Sequence, residues 1–216
     1  MDYLDKIICG DCLDVMGGLP DKSVDLVLTD PPYGIGEAKG KNKTRGNLAQ
    51  AKDYGVDDWD DNIPERGVFD EIRRVSKHAI IFGGNYFAEY LDNSPCWIVW
   101  DKLNGDSDFA DCELAWTNFS SAVRKFTFKW QGMLQGDMKE KEIRYHPTQK
   151  PVKLFRQILN SYSNPGDTIL DPFLGSGTTA VACVETGRHY IGIELEEKYC
   201  EIARRRVAEA TPSLFA

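Results

Sequence analysis

The sequence predicts an α/β domain: a doubly wound, mostly parallel sheet with helices on both faces and an antiparallel hairpin at one edge. Short apolar runs alternate with stretches of helical periodicity, and two of the runs, 24–29 and 168–170, end in turns built from Asp, Pro and Gly. Near its middle the alternation breaks, and two β-rich runs follow each other with no helix between them. At 216 residues the chain has room for one such domain, 1–216, and is too short for two.

Strands are expected at 6–9 and 24–29, separated by a short helical or turn segment through Leu13, Asp14, Val15 and Met16. Between Pro64 and Lys77 the apolar residues Val68, Phe69, Ile72 and Val75 recur at helical spacing, and 79–82 follows as a buried strand. Asn85 is placed to cap a further helix carrying Phe87, Tyr90 and Leu91, ahead of a strand at 97–100. The runs 112–117 and 123–128 are the expected hairpin. Pro151 opens a helix with Val152, Phe155, Ile158, Leu159 and Tyr162 on its apolar side. A strand–turn–helix unit from Thr168 and a strand at 190–193 complete the pattern.

The run 24–29 delivers Asp30, Pro31, Pro32 and Tyr33. Each proline fixes its own φ and lacks an N–H, so neither strand nor helix continues through them. Such a corner offers a carboxylate, a backbone carbonyl and a flat ring at one point, which suits a planar amine. Hydrogen bonds from both amine hydrogens, one to Asp30 and one to the Pro31 carbonyl, would favour a pyramidal nitrogen with an available lone pair. Tyr33 would stack on the base, a contact worth roughly 1–3 kcal/mol. Alone, the quartet is equally well read as a strand-ending turn.

The second unit decides between them. Asp171, Pro172, Phe173, Leu174, Gly175, Ser176, Gly177, Thr178 and Thr179 form a glycine-bearing turn that opens a helix, whose free N–H groups face a ligand. The next strand ends in Glu194, 19 residues after Gly175, where an acid binds a ribose hydroxyl pair. Ala180 stands where a dinucleotide fingerprint has its third glycine, which demotes a nicotinamide cofactor. A nucleoside half-site beside an amine-activating turn calls for a cofactor with an electrophilic carbon, and the sulfonium methyl of S-adenosyl-L-methionine fits.

Gly10-Asp11-Cys12, the Asp30–Tyr33 quartet, His146-Pro147-Thr148-Gln149-Lys150-Pro151, the 171–179 turn and Gly192-Ile193-Glu194 together closely resemble the β-group amino DNA methyltransferases, from about Ile7 to Val207. The resemblance implies a Rossmann-like class I S-adenosylmethionine-dependent fold and methylation of a flipped-out base in double-stranded DNA. It assigns catalysis to Asp30, Pro31, Pro32 and Tyr33. It assigns the cofactor to Asp11, Asp30, Thr148, Lys150, Asp171, Phe173, Gly175, Ser176, Gly177, Thr178 and Glu194, with Asp11 at the adenine, Glu194 at the ribose and Lys150 near a carboxylate. In that family Asp at the head of the quartet goes with N6 of adenine, and Ser with N4 of cytosine, which remains the alternative.

The formal charge of −8 argues against a simple electrostatic nucleic-acid binder, but the basic residues cluster. Lys39, Lys41, Lys43, Arg45 and Lys52 stand against the single acid Glu37, and Arg124, Lys125, Lys129 and Arg144 lie in a second basic stretch. Both flank the proposed chemistry, where phosphate contacts are needed; the competing reading is solvated surface charge. The polar stretch 34–62 begins at Tyr33 and reads as a mobile loop over the base pocket, with a surface insertion as the alternative and Trp59 as an anchor within its acidic end. Residues 103–145 are the expected target-recognition region. Its small size favours a short recognition site or help from a second subunit, and the resemblance leaves open a homodimer and a cognate restriction enzyme.

Six scattered cysteines read as reduced core thiols, and Cys9 with Cys12 forms a lone Cys-x-x-Cys pair, so no metal is expected. No apolar run reaches the roughly 20 residues of a membrane helix and no secretory signal is apparent, so the expectation is a cytoplasmic protein. A catalytically inactive nucleotide-binding regulator or a nicotinamide oxidoreductase would have no use for the Asp30–Tyr33 corner.

Overall fold

Val24 to Thr29, the run that delivers the acidic corner, forms a strand in the middle of an eight-stranded sheet. The computed structural model describes residues 2–35, 63–105, 110–131, 134–136, 141–146 and 148–211. Its elements are β1 (Lys6–Cys9), α1 (Cys12–Gly17), β2 (Val24–Thr29), α2 (Arg66–Val75), β3 (Ser76–Phe82), β4 (Trp97–Asp101), β5 (Cys112–Thr117) and β6 (Arg124–Thr127). The two-residue strands β7 (Trp130–Gln131) and β8 (Leu134–Gln135) follow, then α3 (Val152–Tyr162), β9 (Thr168–Asp171), α4 (Thr178–Glu185), β10 (His189–Glu194) and α5 (Glu197–Glu209).

The sheet order is β1-β10-β9-β2-β3-β5-β4-β6, and only β5 runs against the rest. From the adjacent pair β9 and β2 the chain winds outward in opposite directions, through α4 to β10 and through α2 to β3. Right-handed crossovers that move in opposite directions put their helices on opposite faces, so α4 and α2 lie on different sides. The pleat divides the core accordingly. Leu26 and Leu28 of β2 face Leu154, Phe155, Ile158 and Leu159 of α3 and the alanines of α4. Val27 faces Met16 of α1 and Val68, Phe69, Ile72 and Val75 of α2.

Two expectations need correction. The runs near 112–117 and 123–128 do not pair with each other. β5 instead forms the hairpin with β4, Asp101 opposite Cys112 and Trp97 opposite Trp116, while β6 lies parallel on the far side of β4. Burial explains the choice: Ala115, Trp116 and Thr117 of β5 are covered by neighbours on both sides, whereas β6 carries Arg124 and Lys125 and suits an edge. The stretch 103–145 therefore supplies a strand to the sheet interior as well as surface.

The second correction is the helix expected after Asn85. Residues 83–91 form successive turns, with Tyr86, Phe87 and Tyr90 N–H groups donating three residues back to Gly83, Gly84 and Phe87. Gly83 has a φ of +69°, and a side chain there would collide with the Tyr33 ring, so the backbone leaves helical geometry to admit Tyr33. Within 34–62 only residues 34 and 35 are described, so the loop, Trp59, Lys39, Lys41, Lys43, Arg45 and Lys52 lie outside the described residues. Among the described residues no helix is long and apolar enough to cross a membrane.

Arg188, just before β10, ties the two helices of one face together. Its guanidinium donates to the Leu159 and Ser163 carbonyls at the end of α3, to Asn160 Oδ1 and to the Thr186 carbonyl after α4. It thus satisfies acceptors that helix termini leave open. Replacing it by Met, which keeps the stem but removes the donors, should lower unfolding free energy by about 2–4 kcal/mol in urea titration. A loss below about 0.5 kcal/mol would mean that water serves these carbonyls equally well.

Candidate active site

The carboxyl ends of β2 and β9 meet at the switch point of the doubly wound sheet, where ligands bind in this architecture. There Thr29 Oγ1 donates to Asp171 Oδ1 at 2.7 Å. Thr179 Oγ1 donates to Asp171 Oδ2 at 2.5 Å and the Phe173 N–H to Oδ1 at 3.0 Å. Burial pushes the Asp171 carboxyl up to about 6 although all three donors oppose it.

A cavity of about 250 Å³ opens beside this junction. Its lining includes Asp11, Asp30, Pro32, Thr148, Lys150, Asp171, Phe173, Gly175, Ser176, Thr178 and Glu194. The two motifs separated by 141 positions between Asp30 and Asp171 thus share one space. Asp11 caps α1, its Oδ1 accepting from the Leu13 and Asp14 N–H groups at 2.8 and 3.3 Å. Glu194 accepts from the Gly175 N–H at 2.8 Å and the Glu196 N–H at 2.9 Å, which orients its carboxylate at the end of β10. A Cβ at Gly175 would project into open space, whereas one at Gly177 (φ +92°) would strike Ala203 of α5. Gly177 therefore serves helix packing more than ligand approach.

Ser176 and Thr178 act on neighbouring chain. Ser176 Oγ donates to Gln149 Oε1 at 3.0 Å, and Thr178 Oγ1 to the Lys150 carbonyl at 3.2 Å, so the 148–150 segment is fastened to the start of α4. Thr148 is within 3.0 Å of His146 Nδ1 through its hydroxyl. The sequence reading missed Gln149, which holds this segment by accepting from the Tyr145 N–H and donating to the Ile143 carbonyl. Its signal was its place inside the 146–151 motif. Also missed were Phe155, which read only as a helix residue, and Leu195 and Tyr199, which no motif marked.

Lys150 lines the cavity, and its partners there are protein carboxylates. Its ammonium lies 2.6 Å from Asp30 Oδ2 and 3.1 Å from Glu113 Oε2, and Glu113 is also paired with Lys102. The Tyr33 hydroxyl donates to Asp30 Oδ1 at 2.5 Å. Burial raises the Asp30 carboxyl above its usual range, opposed in part by Lys150 and reinforced by Glu113. Burial also works against the Lys150 ammonium, but Asp30 and Glu113 outweigh it and its pKa is raised.

Tyr33 is more enclosed than a bare stacking platform. One face of its ring stacks on Tyr86, centroids 4.8 Å apart and planes 15° from parallel, and the Lys150 ammonium lies 5.4 Å from its centroid. Tyr86 itself is 44% exposed, so it forms the outer wall of this corner.

The basic candidates fall in different places. Arg124 opens β6 at the amino-terminal end of the parallel strands, the end away from the cavity, and Lys125 pairs with Asp101 at 3.2 Å. Lys129 lies just past the carboxyl end of β6, and the Arg144 guanidinium packs 5.6 Å from the Trp130 ring centroid. Cys9 and Cys12 do not act as a pair. All six cysteines are free thiols, and Cys9 instead comes within 4.8 Å of Glu197 and Cys200. Those three groups already have partners: the thiols reach the Leu195 and Glu194 carbonyls, and Arg204 holds Glu197 at 2.6 Å.

A family model described as DNA methylase, of the N6/N4 type, matches residues 99–205. The Type II methyltransferase M.HinfI of Haemophilus influenzae is 30% identical over 98% of this chain and 70% of its own length. The Type II methyltransferase M2.MboI of Moraxella bovis is 30% identical over 97% of this chain and 89% of its own. Among solved structures, the putative DNA modification methylase TTHA0409 of Thermus thermophilus, complexed with S-adenosyl-L-methionine, is similar at a TM-score of 0.60 and 20% identity, covering 96% of this chain and 94% of that one.

An acid whose folded pKa lies above its unfolded value binds protons more readily in the folded state, so it lowers stability as pH rises between the two. For Asp171 that window runs from 3.8 to about 6. Asp171→Asn cannot ionise, so its stability relative to the native chain should rise by up to roughly 3 kcal/mol between pH 4 and pH 7. Urea unfolding across that range would show the trend, and a constant difference would contradict it.

Proposed function

The chain belongs to the N6/N4 amino DNA methyltransferase family, and from that premise we propose that it transfers the methyl group of S-adenosyl-L-methionine to the N6 amino group of an adenine flipped out of double-stranded DNA. The observation that carries this reading is that Asp30 and the 171–178 turn line one cavity, joined through Thr29 and Asp171. The residues fit the cofactor: Glu194 is oriented for a ribose hydroxyl pair, Asp11 faces the same space, and Gly175 leaves room where a side chain would intrude.

S-adenosyl-L-methionine supplies the electrophilic methyl carbon. Asp30 and the Pro31 carbonyl accept the two amine hydrogens and turn the nitrogen lone pair outward, and the two rigid prolines fix both acceptors before substrate arrives. A nitrogen–carbon bond forms as the carbon–sulfur bond breaks with its electron pair left on sulfur, and the surplus proton on nitrogen leaves past Asp30 to water. Orientation of the two substrates in one cavity contributes much of the rate. Tyr33 and Tyr86 form the aromatic wall at the base, and extrusion of the nucleotide costs a few kcal/mol.

N4 of cytosine is the second reading, since either amine satisfies the same two acceptors; Asp rather than Ser at the head of the quartet favours adenine. Within this reading the enzyme acts in the cytoplasm on DNA. The 103–145 stretch and the segment after Tyr33 would serve target recognition, a second copy of the chain would add recognition surface, and a cognate restriction enzyme would cut unmethylated sites.

Incubation with methyl-labelled cofactor and DNA should place label on N6-methyladenine. Asp30→Ala should lower kcat by about 10²-fold or more while cofactor affinity changes little. Label on cytosine would favour the second reading, and undiminished transfer by the variant would remove Asp30 from catalysis.

A further inference from the structure

β5 places a carboxylate where a buried sheet strand ordinarily has an apolar residue. Glu113 lies opposite Trp100 in the middle of the β4–β5 hairpin, and its side chain is 21% exposed. It joins a line of alternating charge, Lys102, Glu113, Lys150 and Asp30, drawn from the end of β4, from β5, from the segment before α3 and from the corner after β2. The line ends on the proposed amine acceptor. Replacing buried ion networks by apolar side chains often stabilises a protein, so fold stability alone is a poor reason for this one. Glu113 Oε2 faces the Lys150 ammonium at 3.1 Å, close enough to act on it both by its field and by direct contact.

On the reading of the site as an amino methyltransferase, we propose that Glu113, backed by Lys102, is a positioning residue for methyl transfer: it shares the Lys150 ammonium with Asp30 and sets how strongly that cation grips the acceptor carboxylate. With Lys150 on Asp30 alone, the carboxylate is a weak acceptor for an amine hydrogen. With Lys150 drawn wholly to Glu113, Asp30 is a buried carboxylate with no cation. The observed geometry lies between, and Lys102 keeps Glu113 itself from being an uncompensated charge. The charged and titratable groups facing Asp30 are Lys150, Tyr33, Glu113 and, across the junction, Asp171.

Rate against pH in the presence of saturating cofactor distinguishes this role from a structural one. Asp30 must be ionised to accept, so the rate falls as pH drops through its pKa, and the position of that acid limb reports the surrounding charges. Glu113→Gln removes a negative neighbour and leaves Lys150 to Asp30 alone. It should shift the limb to lower pH and reduce kcat by roughly tenfold, with cofactor affinity unchanged within about twofold. Lys102→Met leaves Glu113 to Lys150 alone, draws that ammonium from Asp30 and should shift the limb the other way, to higher pH. It also serves as the second probe should Glu113→Gln fold poorly. Opposite shifts in the two variants support the assignment. Unshifted limbs with kcat near the native value, or shifts in the same direction, overturn it. Absence of transfer by the native enzyme itself would instead defeat the methyltransferase reading, and this assignment with it.

Discussion

The site depends on β2 and β9 being parallel neighbours whose carboxyl ends are locked by the Thr29–Asp171 hydrogen bond. Because the chain winds away from this pair in both directions, no helix among the described residues covers its carboxyl end, and a crevice results. The acidic corner leaves β2 and the glycine turn leaves β9 into that same crevice. Segments far apart in sequence thus acquire a common chemistry without a long connecting loop. The junction is buried from both sides, by α3 and α4 on one face and α1 and α2 on the other, so it is stiff.

Two acids a short distance apart in this junction are treated differently. Asp171 is surrounded by hydroxyl and N–H donors and serves as a structural knot. Asp30 is held by a cation and a phenol, and it lies in the cavity lining. Burial raises both carboxyls, but only Asp30 has a compensating ammonium, which makes it an acceptor whose strength responds to charges farther out. That is the physical basis for giving Glu113 and Lys102 a part in the reaction.

Much of the frame was legible in the sequence because local rules govern it. The helical spacing of Val68, Phe69, Ile72 and Val75, the proline stop after Asp30 and the glycines around Ser176 each specify structure within a few residues. The adjacency of the two motifs was expected from their complementary chemistry and the family resemblance, since strand–helix alternation does not set the order in which strands lie side by side. Strand partners beyond the alternating part were not legible, since the pairing of β5 with β4 rather than β6 is decided by which strand buries Trp116 and which leaves Lys125 in water. The missing helix after Asn85 has the same origin: Phe87, Tyr90 and Leu91 have helical spacing, but Gly83 must bend to make room for a ring from Tyr33, fifty positions away. Side-chain partners were hardest to read. Lys150 sits in a recognisable motif, yet that it reaches Asp30 and Glu113 depends on three elements meeting, and only the oddity of Glu113 within the run Cys112–Thr117 hinted at it.

The account's central claim is that one acidic corner presents a base amine to a methyl donor in the neighbouring turn. The most direct measurement is a crystal structure of the protein with a non-reactive cofactor analogue and DNA carrying an extrahelical target adenine. The account predicts the adenine amino group within hydrogen-bonding distance of Asp30 and the Pro31 carbonyl, and the analogue's sulfonium-equivalent atom in line beyond it, over the Gly175 turn. An adenine held elsewhere, or an analogue whose reactive end faces away from Asp30, would contradict it.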